Sequence, residues 1–125
     1  MPDLILNVDD REANRYTRDR ILRSSGFDVA NAGTAQEAIR LARSLHPQLI
    51  LLDVHLPDAD GRDLCMRLKA DAELSSIPIV LISSTLTSTA DQVESIRWTG
   101  CEGFISEPID PPALVSTLRK VISER

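Results

Sequence analysis

The chain has 125 residues, a formal net charge of −5 and two cysteines. That length suits a single domain spanning residues 1–125 that buries roughly two-thirds of its unfolded surface, and it leaves no room for a second core. The negative charge argues against direct binding to nucleic acid or to an anionic membrane. The longest apolar run, Ile77 to Ile82 interrupted by Pro78, falls far short of the ~20 residues that span a bilayer. The start Met1-Pro2-Asp3 has no basic leader, and Cys65 and Cys101 lack a CxxC pattern, so a cytoplasmic protein with buried, reduced thiols is expected.

Short runs of Ile, Leu and Val alternate with longer amphipathic stretches, the pattern of a parallel sheet covered by helices on both faces. A first strand at Leu4 to Val8 leads to a helix from about Arg11 to Ser25, capped by Asp10 and stopped by Gly26. A short strand at Asp28 to Asn31 precedes Thr34-Ala35-Gln36-Glu37, a capping-box signature, and apolar residues from Ala35 to Leu45 at helical spacing. The third strand is Leu49 to Asp53. The turn-rich Leu56 to Gly61 then opens a helix carrying Leu64, Cys65, Leu68 and Lys69. Ile79 to Ile82 is the fourth strand, followed by a helix that presents Val93 and Ile96 and ends at Gly100. Gly103 to Ser106 is the fifth, and Pro111 begins a last helix with Leu114, Leu118, Val121 and Ile122.

Three aspartates lie at the ends of these runs: Asp9 and Asp10 after the first, Asp53 after the third. Carboxylates ending buried strands do not serve packing. If the two strands are parallel neighbours, the acids converge at the carboxyl edge, where open α/β sheets bind ligands. Such a cluster repels itself unless a cation or a proton joins it, and hard oxygen ligands suit Mg²⁺, which takes carboxylates, waters and phosphate oxygens. The chemistry implied is metal-assisted phosphoryl transfer.

With these residues on the page, the chain resembles a two-component response-regulator receiver domain of the CheY-like superfamily. The likeness rests on Val8-Asp9-Asp10, on Leu51-Leu52-Asp53-Val54-His55-Leu56-Pro57, and on Asp60-Gly61. Ile77-Pro78-Ile79-Val80-Leu81-Ile82-Ser83 and Phe104-Ile105-Ser106-Glu107-Pro108 complete it. The resemblance implies a flavodoxin-like α/β fold, a five-stranded parallel sheet in order 2-1-3-4-5. It further implies that Asp53 is the phosphoacceptor, taking a phosphoryl group from a histidine kinase or its phosphotransfer domain. Asp10 and Asp53 would bind Mg²⁺ directly, Asp9 through water, and His55 through its backbone carbonyl. Ser83 would hydrogen-bond the phosphoryl group, and Phe104 would switch rotamer while packing against the last helix. Such a domain is not an enzyme in its own right, although it assists its own phosphorylation and dephosphorylation. Its partner face is the fourth helix, fifth strand and fifth helix, where Trp98 is an anchor candidate and where receivers also pair as homodimers. An output domain belongs to the same longer chain or is absent, the sequence ending with the last helix.

One position departs from the family pattern. Before the proline of the fifth strand the family carries a lysine, and here the residue is Glu107. Asp9, Asp10, Asp53 and Glu107 with Mg²⁺ carry a formal charge of −2, where three aspartates, Mg²⁺ and a lysine carry none. A unit-charge pair ~4 Å apart interacts by about 4 kcal/mol at an effective dielectric of ~20, enough to decide the chemistry. Three outcomes follow. Either Glu107 points into solvent while another cation assists the phosphate, Arg11 and Arg62 being the nearest in the motif loops, or Glu107 strengthens metal binding and weakens phosphoryl transfer, or the domain is a phosphorylation-independent interaction module. Glu-Pro is also similar to receivers attached to hybrid sensor kinases. A haloacid-dehalogenase-type phosphatase is disfavoured because His55 stands where its second acid belongs. A flavodoxin is disfavoured because Asp-Asp-Arg-Glu would repel a flavin phosphate.

Overall fold

The structure, a computed structural model, describes residues 2–85 and 88–124. Five strands, β1 (Leu4–Val8), β2 (Asp28–Ala32), β3 (Leu49–Asp53), β4 (Ile79–Ser83) and β5 (Gly103–Ser106), form one parallel sheet in the order 2-1-3-4-5. They alternate with five helices, α1 (Glu12–Ser24), α2 (Ala35–Leu45), α3 (Gly61–Ala70), α4 (Thr89–Thr99) and α5 (Pro111–Ser123). The expected flavodoxin-like arrangement is therefore present. β3 and β4 are buried along their whole length, which is why both read as unbroken aliphatic runs rather than alternating ones.

Strand parity divides the core. Leu6, Val8, Ile50, Leu52, Ile79 and Leu81 face α2 and α3, with Leu64, Cys65 and Leu68. Ile5, Leu49, Leu51, Val80 and Ile82 face α1 and α5, meeting Leu22, Leu114, Leu118 and Val121. Each fully buried Leu or Ile contributes roughly 1.5–3 kcal/mol, so the two layers together hold the sheet rigid.

Local details depart from expectation in three places, and α4 shows a fourth feature that no hydropathy pattern reports. Asp10 does not cap α1: Arg11 is its N-cap with no side-chain hydrogen bond, and it is the Asp9 carboxylate that accepts from the Arg11 N–H, at 2.8 Å. Thr34 does cap α2, accepting from the Glu37 N–H, but Glu37 reaches the N–H of Gly33 instead of that of Thr34. Phe104 packs into the α2–α3 layer rather than against α5, because parity places it beside Leu81. Finally, α4 turns Val93 and Ile96 outward and buries Ser95 and Thr99. The Thr99 hydroxyl donates to the Ser95 carbonyl at 2.6 Å and accepts from the Cys101 N–H, so these inward polar groups are satisfied without leucine-sized residues. α4 is also tied to the tip of β5 by a hydrogen bond from the Gln92 amide to the Ser106 hydroxyl. Both cysteines are buried and unbridged, and burial pushes the Cys65 thiol up to about 12, which leaves it unreactive at neutral pH.

Gly61 fixes where α3 starts. Its N–H donates to the Val54 carbonyl at 2.6 Å, and a Cβ there would stand 2.1 Å from the backbone oxygen of Asp53 and 2.8 Å from Val54 Cα. Gly61→Ala is expected to destabilise the domain by about 1–3 kcal/mol or more, as overpacking against backbone does. Urea unfolding measures it, and an unchanged midpoint would mean that α3 can retreat from β3.

Candidate functional site

The carboxyl ends of the strands bring three of the four sequence-predicted acids, Asp9, Asp53 and Glu107, to one place. Val8 pairs with Leu52 and Asp53 with Ile82, so Asp9 and Asp53 leave adjacent strands at the same level. Ser83 pairs with Ser106, and the next residue, Glu107, donates its N–H to the Ser83 carbonyl at 2.9 Å. Parity then separates the side chains. Asp9 follows Val8, Asp53 follows Leu52, and Glu107 lies two residues beyond Ile105, so all three project to the α1–α5 face. Ser83 projects to the other face. Carboxylate oxygens of Asp9, Asp53 and Glu107 lie within 4.8 Å of one another, with Asp9 and Asp53 buried and Glu107 half-buried.

The same face receives a residue that the motif reading missed. Arg18 is 1% exposed, and its guanidinium enters the cluster from α1. Nη1 lies 2.6 Å from Asp9 Oδ2, while Nη2 lies 2.5 Å from Glu107 Oε1 and 3.4 Å from Asp53 Oδ2. Among the described residues no other lysine or arginine pairs with any of the three acids. Nη1 and Asp9 Oδ2 are in ion-pair contact but out of hydrogen-bond alignment, so attraction rather than a directed bond holds that end. The cations expected from the motif loops are engaged elsewhere. Arg62 pairs with Asp60 at 2.8 Å, and Arg11 takes part only through its backbone N–H. One signal for Arg18 was available: it lies one helical turn before Leu22, which is buried on the sheet side of α1.

The phosphoacceptor candidate is held at one oxygen. Asp53 Oδ1 accepts from the His55 N–H at 2.7 Å, leaving Oδ2 toward Arg18. Burial pushes the Asp53 carboxyl up to about 6; the His55 N–H opposes the rise, Asp9 adds to it and Arg18 lowers it. The group is thus mainly ionised at neutral pH. Asp10 is exposed and stands outside the close cluster. Ser83 is fully buried, its hydroxyl accepting from the Thr85 N–H at 3.1 Å, and Thr85 in turn meets the His55 ring at 2.7 Å. Phe104 is half-buried one layer below. Asp58, in the loop after Asp53, accepts from the Ala35 and Gln36 N–H groups at the start of α2, which holds its carboxyl below the usual range. Arg62, held by Asp60, lies 5.8 Å from the ring centre of Trp98, which is 54% exposed on α4.

The donor set suits a hard divalent ion. Every side-chain ligand atom of the cluster is a carboxylate oxygen, and Asp9 Oδ2 is buried with no aligned hydrogen bond. Residues 5–119 match the response regulator receiver domain model, and the chain belongs to that family of signalling domains. It is 33% identical over 124 residues to the polar-differentiation response regulator DivK of Brucella ovis, covering 99% of both chains. The signal receiver domain of a histidine kinase from Syntrophus aciditrophicus superposes with a TM-score of 0.86 at 30% identity, covering 98% of this chain and 91% of that one. The receiver domain of sensor histidine kinase PA1611 from Pseudomonas aeruginosa, whose structure has magnesium coordinated in its active-site cleft, gives 0.87 at 24% identity over 98% and 99%. The family binds Mg²⁺ at an acidic site, and no helix among the described residues is long and apolar enough to cross a membrane.

Because the Asp53 carboxyl titrates near 6 in the fold instead of at its ordinary 3.8, the native state holds its proton more tightly than the unfolded chain. The stabilisation from this proton is complete below about pH 4 and lost as pH rises through 6. Asp53→Asn is therefore expected to unfold at higher urea than wild type at pH 7.5 without Mg²⁺, by up to about 3 kcal/mol. The gap should close between pH 6 and 4, and a pH-independent difference would contradict the titration.

Proposed function

We propose that this domain is the phosphoacceptor of a two-component phosphorelay, taking a phosphoryl group onto Asp53 from a histidine kinase or its phosphotransfer domain. The observation that carries the reading is the state of Asp53. One carboxylate oxygen is fixed by the His55 N–H while the other faces a guanidinium at the meeting point of β3, β4 and β5, and the group is mainly ionised at pH 7. A nucleophile so oriented loses little freedom on reaction, and phosphoryl transfer depends chiefly on positioning and electrostatics. Asp10 and Asp53, with Asp9 behind them and the His55 carbonyl, would hold Mg²⁺. When bound, the ion supplies charge compensation for the donor phosphate. Ser83, at the tip of β4, is the hydroxyl offered to the product phosphoryl group, and Phe104 and α4 lie where a change at Ser83 would be felt. The exposed Val93 and Trp98 support α4, β5 and α5 as the face for a kinase, an output domain or a second copy. The domain has no need of nucleic acid or of membrane insertion, and we assign it to the cytoplasm.

A second reading has its own support. Asp53 is 2% exposed and the cation already fills the space beside it, an arrangement that also serves a phosphorylation-independent docking module. Incubation with Mg²⁺ and acetyl phosphate or phosphoramidate, followed by intact-mass measurement, separates the two. A labile adduct of one phosphoryl group, absent in Asp53→Asn and without Mg²⁺, is expected. A protein that stays unmodified with every donor is the docking module.

A further inference from the structure

We propose that Arg18 is the phosphoryl-binding cation of this domain, and that Glu107 is a built-in anion holding Arg18 in position until the phosphoryl group displaces it. The assignment rests on the phosphoacceptor reading of Asp53. Its grounds are geometric. A single guanidinium nitrogen, Nη2, touches both Glu107, at 2.5 Å, and the phosphoacceptor oxygen Asp53 Oδ2, at 3.4 Å. The other nitrogen, Nη1, is anchored on Asp9, whose side chain is fully buried. The three partners are not equally fixed. Asp9 and Asp53 side chains are 0% and 4% exposed, whereas that of Glu107 is 20% exposed, so Glu107 is the anion that can leave toward solvent without exposing the core.

The chemistry supplies the reason to leave. With acetyl phosphate, Asp53 Oδ2 forms its bond to phosphorus as the bond from phosphorus to the acetate oxygen breaks. Acetate departs with the electron pair and no proton moves. The acyl phosphate then carries two negative charges where the carboxylate carried one, and they develop beside Nη2. A planar guanidinium suits phosphate oxygens better than a single carboxylate contact. With Glu107 in place the buried anions outnumber their one cation, so the incoming dianion and Glu107 compete for the same nitrogen. Their exchange would convert a covalent event on β3 into a release of the residue that follows β5. This chain would thus have moved the cation from the end of β5 to α1 and used the vacated position as a latch.

The test measures adduct formation rate and adduct lifetime by intact mass in acetyl phosphate and Mg²⁺, with circular dichroism and thermal unfolding of each unmodified variant as fold controls. Arg18→Met is expected to slow formation by at least about tenfold, as loss of a charge-stabilising donor does. Arg18→Lys should retain part of the rate, and the double variant Arg18→Met/Glu107→Lys should recover most of it by returning a cation to β5. Glu107→Gln should raise yield or lifetime. If Arg18→Met does not fold, Arg18→Met/Glu107→Gln, which deletes the ion pair as a unit, takes its place and should be as slow. A folded Arg18-deleted variant modified at the wild-type rate, or a double Met/Lys variant with no recovery, overturns the assignment while leaving Asp53 as phosphoacceptor. Wild-type protein that forms neither the adduct nor a beryllofluoride complex overturns the phosphoacceptor reading and this assignment with it. In the beryllofluoride complex the side-chain ¹⁵N resonances of Arg18 should shift. Unmoved resonances would mean that the guanidinium never reaches the phosphoryl position.

Discussion

Three carboxylates and one guanidinium share a water-poor pocket at the end of the sheet, and that imbalance of charge governs the rest of the structure. Removing an ion from water costs several kcal/mol even after the protein relaxes, and close pairing offsets the cost only in part. Asp9 and Asp53 are held in this costly setting by strands buried on both faces, with no freedom to turn toward solvent. The aliphatic layers supply the cohesion that the charges consume. Arg18 is the minimum concession: without it no side-chain cation among the described residues would pair with the three acids. Its placement explains why Glu107, in a position where the family carries the opposite charge, coexists with the other acids.

The construction is simple when followed from the backbone. Parallel strands ending at one level bring their following residues together, and alternation of side chains decides the face on which each projects. Asp9, Asp53 and Glu107 share one parity and Ser83 has the other, so acids and hydroxyl approach the same point from opposite sides of the sheet. Gly61 lets α3 start against the backbone of β3, and Asp58 links the loop between them to the first turn of α2. The loop after Asp53 is thus held against β3 by the Gly61 backbone and to α2 by the Asp58 carboxylate.

Much of this was legible in the sequence because it depends on local pattern. Strand runs and helix stops such as Gly100 follow from periodicity, and the order of the sheet follows from the family resemblance that the motif residues carry. Arg18 is not legible in this way, because ligands of α/β sheets are usually supplied by loops and Arg18 lies within α1. An arginine amid Arg15, Arg20 and Arg23 also looks like part of a solvated helix face. Only the combination of helical phase from Leu22 with an unpaid charge at Glu107 singles it out. The inward face of α4 is hidden from the sequence for a related reason. Val93 and Ile96 are its apolar residues, yet the observed phase buries Ser95 and Thr99, whose small size and hydrogen bonding from the Thr99 hydroxyl to the Ser95 carbonyl no hydropathy pattern reports. Asp10 is the cap that proximity suggests, yet it is the Asp9 carboxylate that accepts from the Arg11 N–H.

The polar underside of α4 has a mechanical consequence. Lifting α5 would hydrate Leu114, Leu118 and Val121, while rolling α4 would uncover little beyond a serine, a threonine and their bonds. Adhesion to the sheet is accordingly weakest there, and segments with few buried apolar contacts are those that open and shift at least expense. Gln92 grips Ser106, the immediate neighbour of Glu107, so the most loosely moored helix is also harnessed to the strand tip nearest the charge cluster. A small displacement of that tip would be spent on steering α4, with the sheet beneath it left undisturbed.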